Sequence, residues 1–230
     1  MFDRIKKAFG KSASQHAKPG GRADASEDNS PASRWANTQG FGFSSQADGR
    51  GLALDGKVAG KPWRMQVGPS SRKYIIGQEL LARADLKLNE DVSVLVISRP
   101  LKESLEKVAY EMYTDPLQTQ IDPNLPEEMR WLAMFDEVVW ETLPLPFWDR
   151  YVVLSDNREN AMTWLDPVLS ESLLNWPKGG PTAEVPFLLL LLRGKAYLRM
   201  EYNPPELTTL QHAAQIFTGA CESALDGFSG

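Results

Sequence analysis

The sequence predicts an α+β fold in which a mixed or mainly antiparallel sheet is packed by several helices and closes with a C-terminal hairpin followed by a helix. Three observations predict it. Runs with period-two apolar spacing recur between Trp63 and Ile97; the stretch VPFLLLLLRGKAYLRMEY reads as two strands about an Arg-Gly turn; and apolar residues three or four apart mark helices, above all from Leu207 to Leu225.

The first 54 residues read differently from the rest. They carry a formal balance of +3 against −8 for the remainder, within a 230-residue chain of net charge −5 and pI near 5.2. Such an acidic chain does not attract nucleic acid as a whole. Its tryptophans do not interleave with a dense basic tract either, so nucleic acid is an unlikely partner from sequence. The single cysteine, Cys221, has no internal disulfide partner and suits a reducing, cytoplasmic setting. No apolar run follows the basic N-terminus as in a secretory signal. The six apolar residues from Phe187 to Leu192 fall far short of the roughly 20 needed to span a bilayer.

Within MFDRIKKAFG, Phe2, Ile5 and Phe9 share helical spacing beside Arg4, Lys6 and Lys7. Rings on one side and cations on the other suit an anionic membrane surface. A protein partner and an unstructured end are the alternatives, since a helix this short is marginal alone. Residues 11 to 54 are rich in Ser, Gly, Ala and Asn and read as a tether, with the Phe41 and Phe43 of GFGF as a loosely packed aromatic turn. The folded domain is expected from Asp55 to Gly230, with a possible division near 145 to 150.

Trp63, Met65 and Val67 alternate with Arg64 and Gln66 as in a strand. Leu80, Ala82, Ala84, Leu86 and Leu88 repeat the pattern, although Leu, Ala and Glu there also suit a helix; Val92 to Ile97 is a third strand. Short connections predict these three as antiparallel neighbours. Pro100 then starts a helix with Leu101, Leu105, Val108 and Met112 on one side.

A second helix is expected from Glu127 to Trp140, with Leu132, Phe135 and Val139 on one side and Met129, Ala133, Asp136 and Trp140 on another. LPLPFW is expected to end it in extended or turn geometry. A short strand at 151 to 155 precedes a third helix carrying Ala161, Trp164, Leu165, Val168 and Leu169, which NWPKGGP terminates.

In the C-terminal hairpin the leucines form the inner strand. Leu198, Met200 and Tyr202 share one face of its partner, and Lys195, Tyr197, Arg199 and Glu201 share the other. The last helix buries Leu207, Leu210, Ala214, Phe217, Cys221 and Leu225, leaving His212 on its outer side. That arrangement disfavours a Cys-His nucleophile pair.

Two groups of polar residues carry candidate chemistry. Ser70, Ser71, Arg72, Lys73 and Tyr74 offer hydroxyl and cationic donors for a phosphate or carboxylate, against the simpler reading of a solvated hairpin tip. The stretch from Glu111 to Glu141 is strongly acidic, and Asp122, Glu127, Glu128, Asp136, Glu137 and Glu141 form a candidate surface for a basic protein segment. Asp136, among apolar helical neighbours, is the member expected to be buried, where it needs hydrogen bonds or a cation. With only His16 and His212 beside Cys221 no metal site is expected, and no nucleotide fingerprint or nucleophile elbow points to a cofactor or an enzyme.

These observations favour a noncatalytic protein-interaction, adaptor or assembly domain. The alternatives are a protein recruited peripherally to the inner face of a membrane, and a small-molecule enzyme or anion sensor using Arg72 and Lys73. Oligomeric state is not legible in the sequence.

Overall fold

The computed structural model describes residues 29–45, 51–114 and 127–229. The chain runs α1 (Pro31–Thr38), β1 (Gly42–Ser45), β2 (Leu52–Val58), β3 (Lys61–Pro69), β4 (Gln78–Asp85), β5 (Ser93–Ser98), α2 (Arg99–Thr114) and α3 (Glu127–Met134). It continues through β6 (Asp136–Glu137), α4 (Leu145–Arg150), β7 (Tyr151–Ser155), α5 (Arg158–Trp164), α6 (Pro167–Leu174), β8 (Phe187–Leu192), β9 (Lys195–Glu201) and α7 (Leu207–Phe228). Among the described residues the strands form one antiparallel sheet in the order β1-β2-β3-β4-β9-β8-β5-β7-β6. This is the α+β architecture expected, including the β8-β9 hairpin and the helix after it.

The sheet separates two apolar layers. On one face, Met65, Leu80, Ala82, Val94, Val96, Leu189, Leu191 and Leu198 pack with residues of α5, α6 and α7, among them Trp164, Leu173 and Phe217. On the other, Leu95, Ile97, Val152, Leu154, Leu188 and Leu190 meet Leu101 and Leu105 of α2, Met129 of α3, and Phe135. β8 therefore buries both of its faces, which is why its leucines are uninterrupted. Each fully buried leucine stabilises the fold by roughly 1.5–3 kcal/mol relative to exposure. β9 beside it alternates, with Leu198 and Met200 in the first layer and Tyr197 against the second.

The three early strands are not neighbours as a set. β3 and β4 pair directly, with Met65 opposite Ala82, but the C-terminal hairpin lies between β4 and β5. Short connections do not decide adjacency when a later hairpin can satisfy both free edges. The tether read over 11 to 54 also contains folded structure. Ser30 caps α1 by accepting from the Ser33 backbone N–H, and β1 pairs with β2, so Phe43 lies opposite Leu54. Phe41 sits edge-on to both Trp35 and Trp63, a packed aromatic turn.

The second helix is shorter than its spacing predicts. α3 stops at Met134 because the chain extends to pair with β7, placing Asp136 opposite Ser155 and giving the Val138 N–H to Val153 O at 2.9 Å. Asp136 is consequently exposed rather than buried. LPLPFW forms the short helix α4, with Pro144 at its N-cap position in extended geometry and Pro146 in the first turn, where no N–H is needed. Pro167 divides the third helix into α5 and α6, and Val168 is exposed. Trp148 and Trp176 are half-buried against the first layer. Among the described residues no helix is long and apolar enough to cross a membrane.

Candidate functional site

The second face of the sheet is covered unevenly. α2 and α3 pack over β5, β7 and β8, whereas β2, β3 and β4 present Asp55, Arg64 and Arg83 to solvent. At the boundary, α3 stands above β4, β9 and β8 and leaves a groove of about 470 Å³.

What holds α3 there is a buried charge network. Glu128, the second residue of the helix, is fully buried. Its carboxylate accepts from Arg72 Nε at 3.0 Å and from the Tyr74 hydroxyl at 2.9 Å, and Arg199 Nη1 completes the set. Arg199 Nε also lies 2.6 Å from Glu79 Oε1, an ion pair whose N–H is not aligned on that oxygen. The second Glu79 oxygen accepts from the Ser71 backbone N–H at 2.6 Å and its hydroxyl at 2.7 Å. Glu201 accepts from the Ile76 N–H at 2.7 Å. Three buried carboxylates from α3, β4 and β9 thus pin the loop between β3 and β4.

Burial pushes the Glu128 carboxyl up, but its own backbone N–H together with the Arg72 and Arg199 guanidiniums outweighs that and holds it below the usual carboxylate range. The same burial, with Glu128 alongside, pushes the Tyr74 phenol well above its ordinary value. Tyr74 therefore stays a neutral donor.

The structure places the sequence candidates in different surroundings. Ser71, Arg72 and Tyr74 do converge on carboxylates, but on those of Glu79 and Glu128 in the same chain. Ser70 bonds within its own turn to Arg72 O, and Lys73 is exposed. Of the acidic set, Glu128 is internal, Glu127 faces the groove and couples to Arg130 at 3.6 Å, and Glu137 reaches Lys102 at 3.6 Å. Asp136 and Glu141 are exposed. Asp122 and the N-terminal set Phe2, Arg4, Ile5, Lys6, Lys7 and Phe9 lie outside the described residues. The buried carboxylate was legible in one respect: Glu128, Leu132 and Phe135 are spaced as one helical side, upstream of the apolar pair.

The groove itself was not anticipated. Its floor is Leu188, Leu190 and Leu192 of β8 with Leu81 of β4, and its roof is Trp131, Met134 and Phe135. Glu127, Arg130, Trp131 and Met134 fall three or four apart, so one side of α3 faces it. Arg83, Arg193 and Lys195 stand exposed at its mouth, and Tyr197 lines the wall. A second cavity of about 400 Å³ continues past the strand ends, sharing Arg83, Lys195 and Tyr197 with the groove and adding Asp55, Arg64 and Asp85.

The nucleophile and base candidates lie elsewhere. Burial pushes the Cys221 thiol up to about 12. His212 is not on an open outer side: Nε2 lies 2.8 Å from Ser172 O and the ring packs on Trp176, with burial pulling its pKa down. Among the described residues no group of His, Cys, Asp and Glu is arranged to hold a metal ion.

No family model matches the chain, and no curated protein matches it. Among solved structures, the crystal structure of the mycobacterial trehalose monomycolate transport factor A is similar at a TM-score of 0.44 and 10% identity, over 84% of this chain and 92% of that one. A likeness this distant transfers no property.

Proposed function

We propose that this chain is a noncatalytic binding domain whose ligand is an elongated amphiphile lying in the groove between α3 and the β4-β9-β8 face. The observation that carries the reading is the groove's construction: leucines of β8 and β4 below, Trp131 and Phe135 above, and a cationic mouth. Its volume falls within the range of small-molecule sites, which are mostly apolar with a few placed polar groups. The noncatalytic part rests on engagement of the reactive groups, since Cys221 is enclosed in the core and His212 is held on a backbone carbonyl.

Binding of the neutral dye N-phenyl-1-naphthylamine tests the groove directly. Saturable fluorescence enhancement is expected, with affinity reduced about fivefold or more by Leu192→Trp at the half-buried end of the floor or Met134→Trp at the exposed edge of the roof. Thermal unfolding of each variant checks that the fold is kept. Enhancement indifferent to both substitutions, or none at all, overturns the reading.

A further inference from the structure

We infer that the amphiphile carries a compact anionic head, a carboxylate or phosphate monoester, seated on Arg83, Arg193 and Lys195 with its chain running inward over Leu192, Leu190 and Leu188. The inference rests on the binding-groove reading above and adds the chemistry and direction of the ligand.

The charges at the groove divide into engaged and free. Arg199 is held by Glu79 and Glu128, and Arg130 couples to Glu127. Arg83, Arg193 and Lys195 make no ion pair among the described residues. Three cations with no ion pair among the described residues line one apolar cleft although the chain as a whole is acidic, Arg83 in the cross-strand row of Tyr197 and Leu190 and Lys195 in the row of Leu192. Arg83 and Lys195 lie on the same face of the adjacent strands β4 and β9, where Arg83 is opposite Tyr197 and Lys195 opposite Asp85.

Arg193 is the most informative of the three. It sits in the two-residue turn between β8 and β9 with φ +51°, and Gly194 follows at +71°. Left-handed backbone disfavours a non-glycine residue, and such turns favour Asn or Gly at that position. The turn places the Arg193 side chain in the lining of the groove.

The carboxylates define where the head sits. Asp85 and Asp55 line the second cavity and not the groove, and Asp55 is paired with Arg64 at 2.8 Å. Asp85, in no ion pair among the described residues, stands opposite Lys195 on that side, so an anionic head is drawn towards the Arg83 and Arg193 side of the groove. A concave site of this size takes one chain of a free amphiphile, not the face of a bilayer.

Calorimetric titration of the full chain with decanoate, decyl phosphate and decanol, each below its aggregation limit, tests the inference. Both anions are expected to bind about tenfold or more tightly than decanol, with affinity falling as salt rises. The Arg83→Gln, Arg193→Gln, Lys195→Gln triple variant is expected to bind all three alike. Should it fail to fold, Arg83→Gln and Lys195→Gln singly are each expected to weaken decanoate about threefold and leave decanol unchanged. Equal affinity for decanol and decanoate in the unaltered protein, both weakened by Leu192→Trp, overturns the anionic head and leaves the groove reading standing. Absence of binding by all three overturns the groove reading itself. Binding confined to phosphatidylglycerol vesicles overturns the free amphiphile as ligand.

Discussion

Glu128 and Arg72 are separated by 56 positions in the chain and by 3.0 Å in the fold. This pair, with Arg199 behind it, ties the first turn of α3 to the loop between β3 and β4 and so sets the height of the groove roof. Removing one partner of a buried ion pair leaves the other uncompensated, at a cost of about 3–5 kcal/mol. Glu128→Ala is expected to cost about 3 kcal/mol by urea denaturation, because Arg72 retains partial exposure and Arg199 retains Glu79. A loss below about 0.5 kcal/mol would show that the network does not hold the helix.

Acid should act through the same carboxylate. Its pKa is depressed in the fold, so its contribution is fully present above the unfolded value of about 4.3 and is lost as pH falls through the lower folded value. The stability difference between the unaltered protein and Glu128→Gln is therefore expected to be constant above about pH 5 and to shrink as pH falls further. Denaturation curves across that range measure it, and a difference that grows in acid would contradict the sign.

Arg193 offers a separation of stability from binding. Arg193→Asn relieves the left-handed strain and is expected to raise the unfolding free energy by about 0.5–1 kcal/mol. If the residue serves the groove mouth, decanoate affinity falls in the same variant. Gly194→Ala should do the reverse to the fold, since its φ is +71° and a Cβ there would meet Leu88 O at 2.6 Å. Soluble yield and unfolding midpoint decide the second case.

Gly56 and Trp63 make a packing prediction on the other face. A Cβ at position 56 would come within 2.4 Å of Trp63 Cζ2, and the indole cannot retreat because Phe41 and Phe217 contact it edge-on. Gly56→Ala is expected to destabilise by about 1–3 kcal/mol. Circular dichroism melts of the variant, compared with Gly68→Ala where no atom lies within 4 Å, isolate this contact from general loss of glycine.

The thiol of Cys221 should be silent in the folded protein. With its pKa pushed up to about 12 by burial, it is expected not to react with Ellman's reagent at pH 8 until denaturant is added. Rapid reaction in native buffer would place it at the surface.

Much of the architecture was legible because alternation and helical spacing report which side of an element meets the core. Trp63, Met65 and Val67, the hairpin alternation of β9 and the α7 side from Leu210 to Cys221 are all arranged as those periods imply. Less of the site was legible. Arg72 and Tyr74 were recognisable as anion donors and Glu128 as part of an acidic stretch, but nothing local says that they meet each other.

The amino-acid sequence by itself determined the element types, the C-terminal hairpin and the enclosure of its leucines, since these follow from residue spacing within a dozen positions. Only the tertiary structure decided strand order, the stop of α3 at Met134 and the groove beneath it. The hairpin's insertion between β4 and β5, the pairing of β6 with β7 and the neutralisation of Glu128 are long-range choices. In each, a free strand edge or a buried charge far along the chain outweighed the local preference.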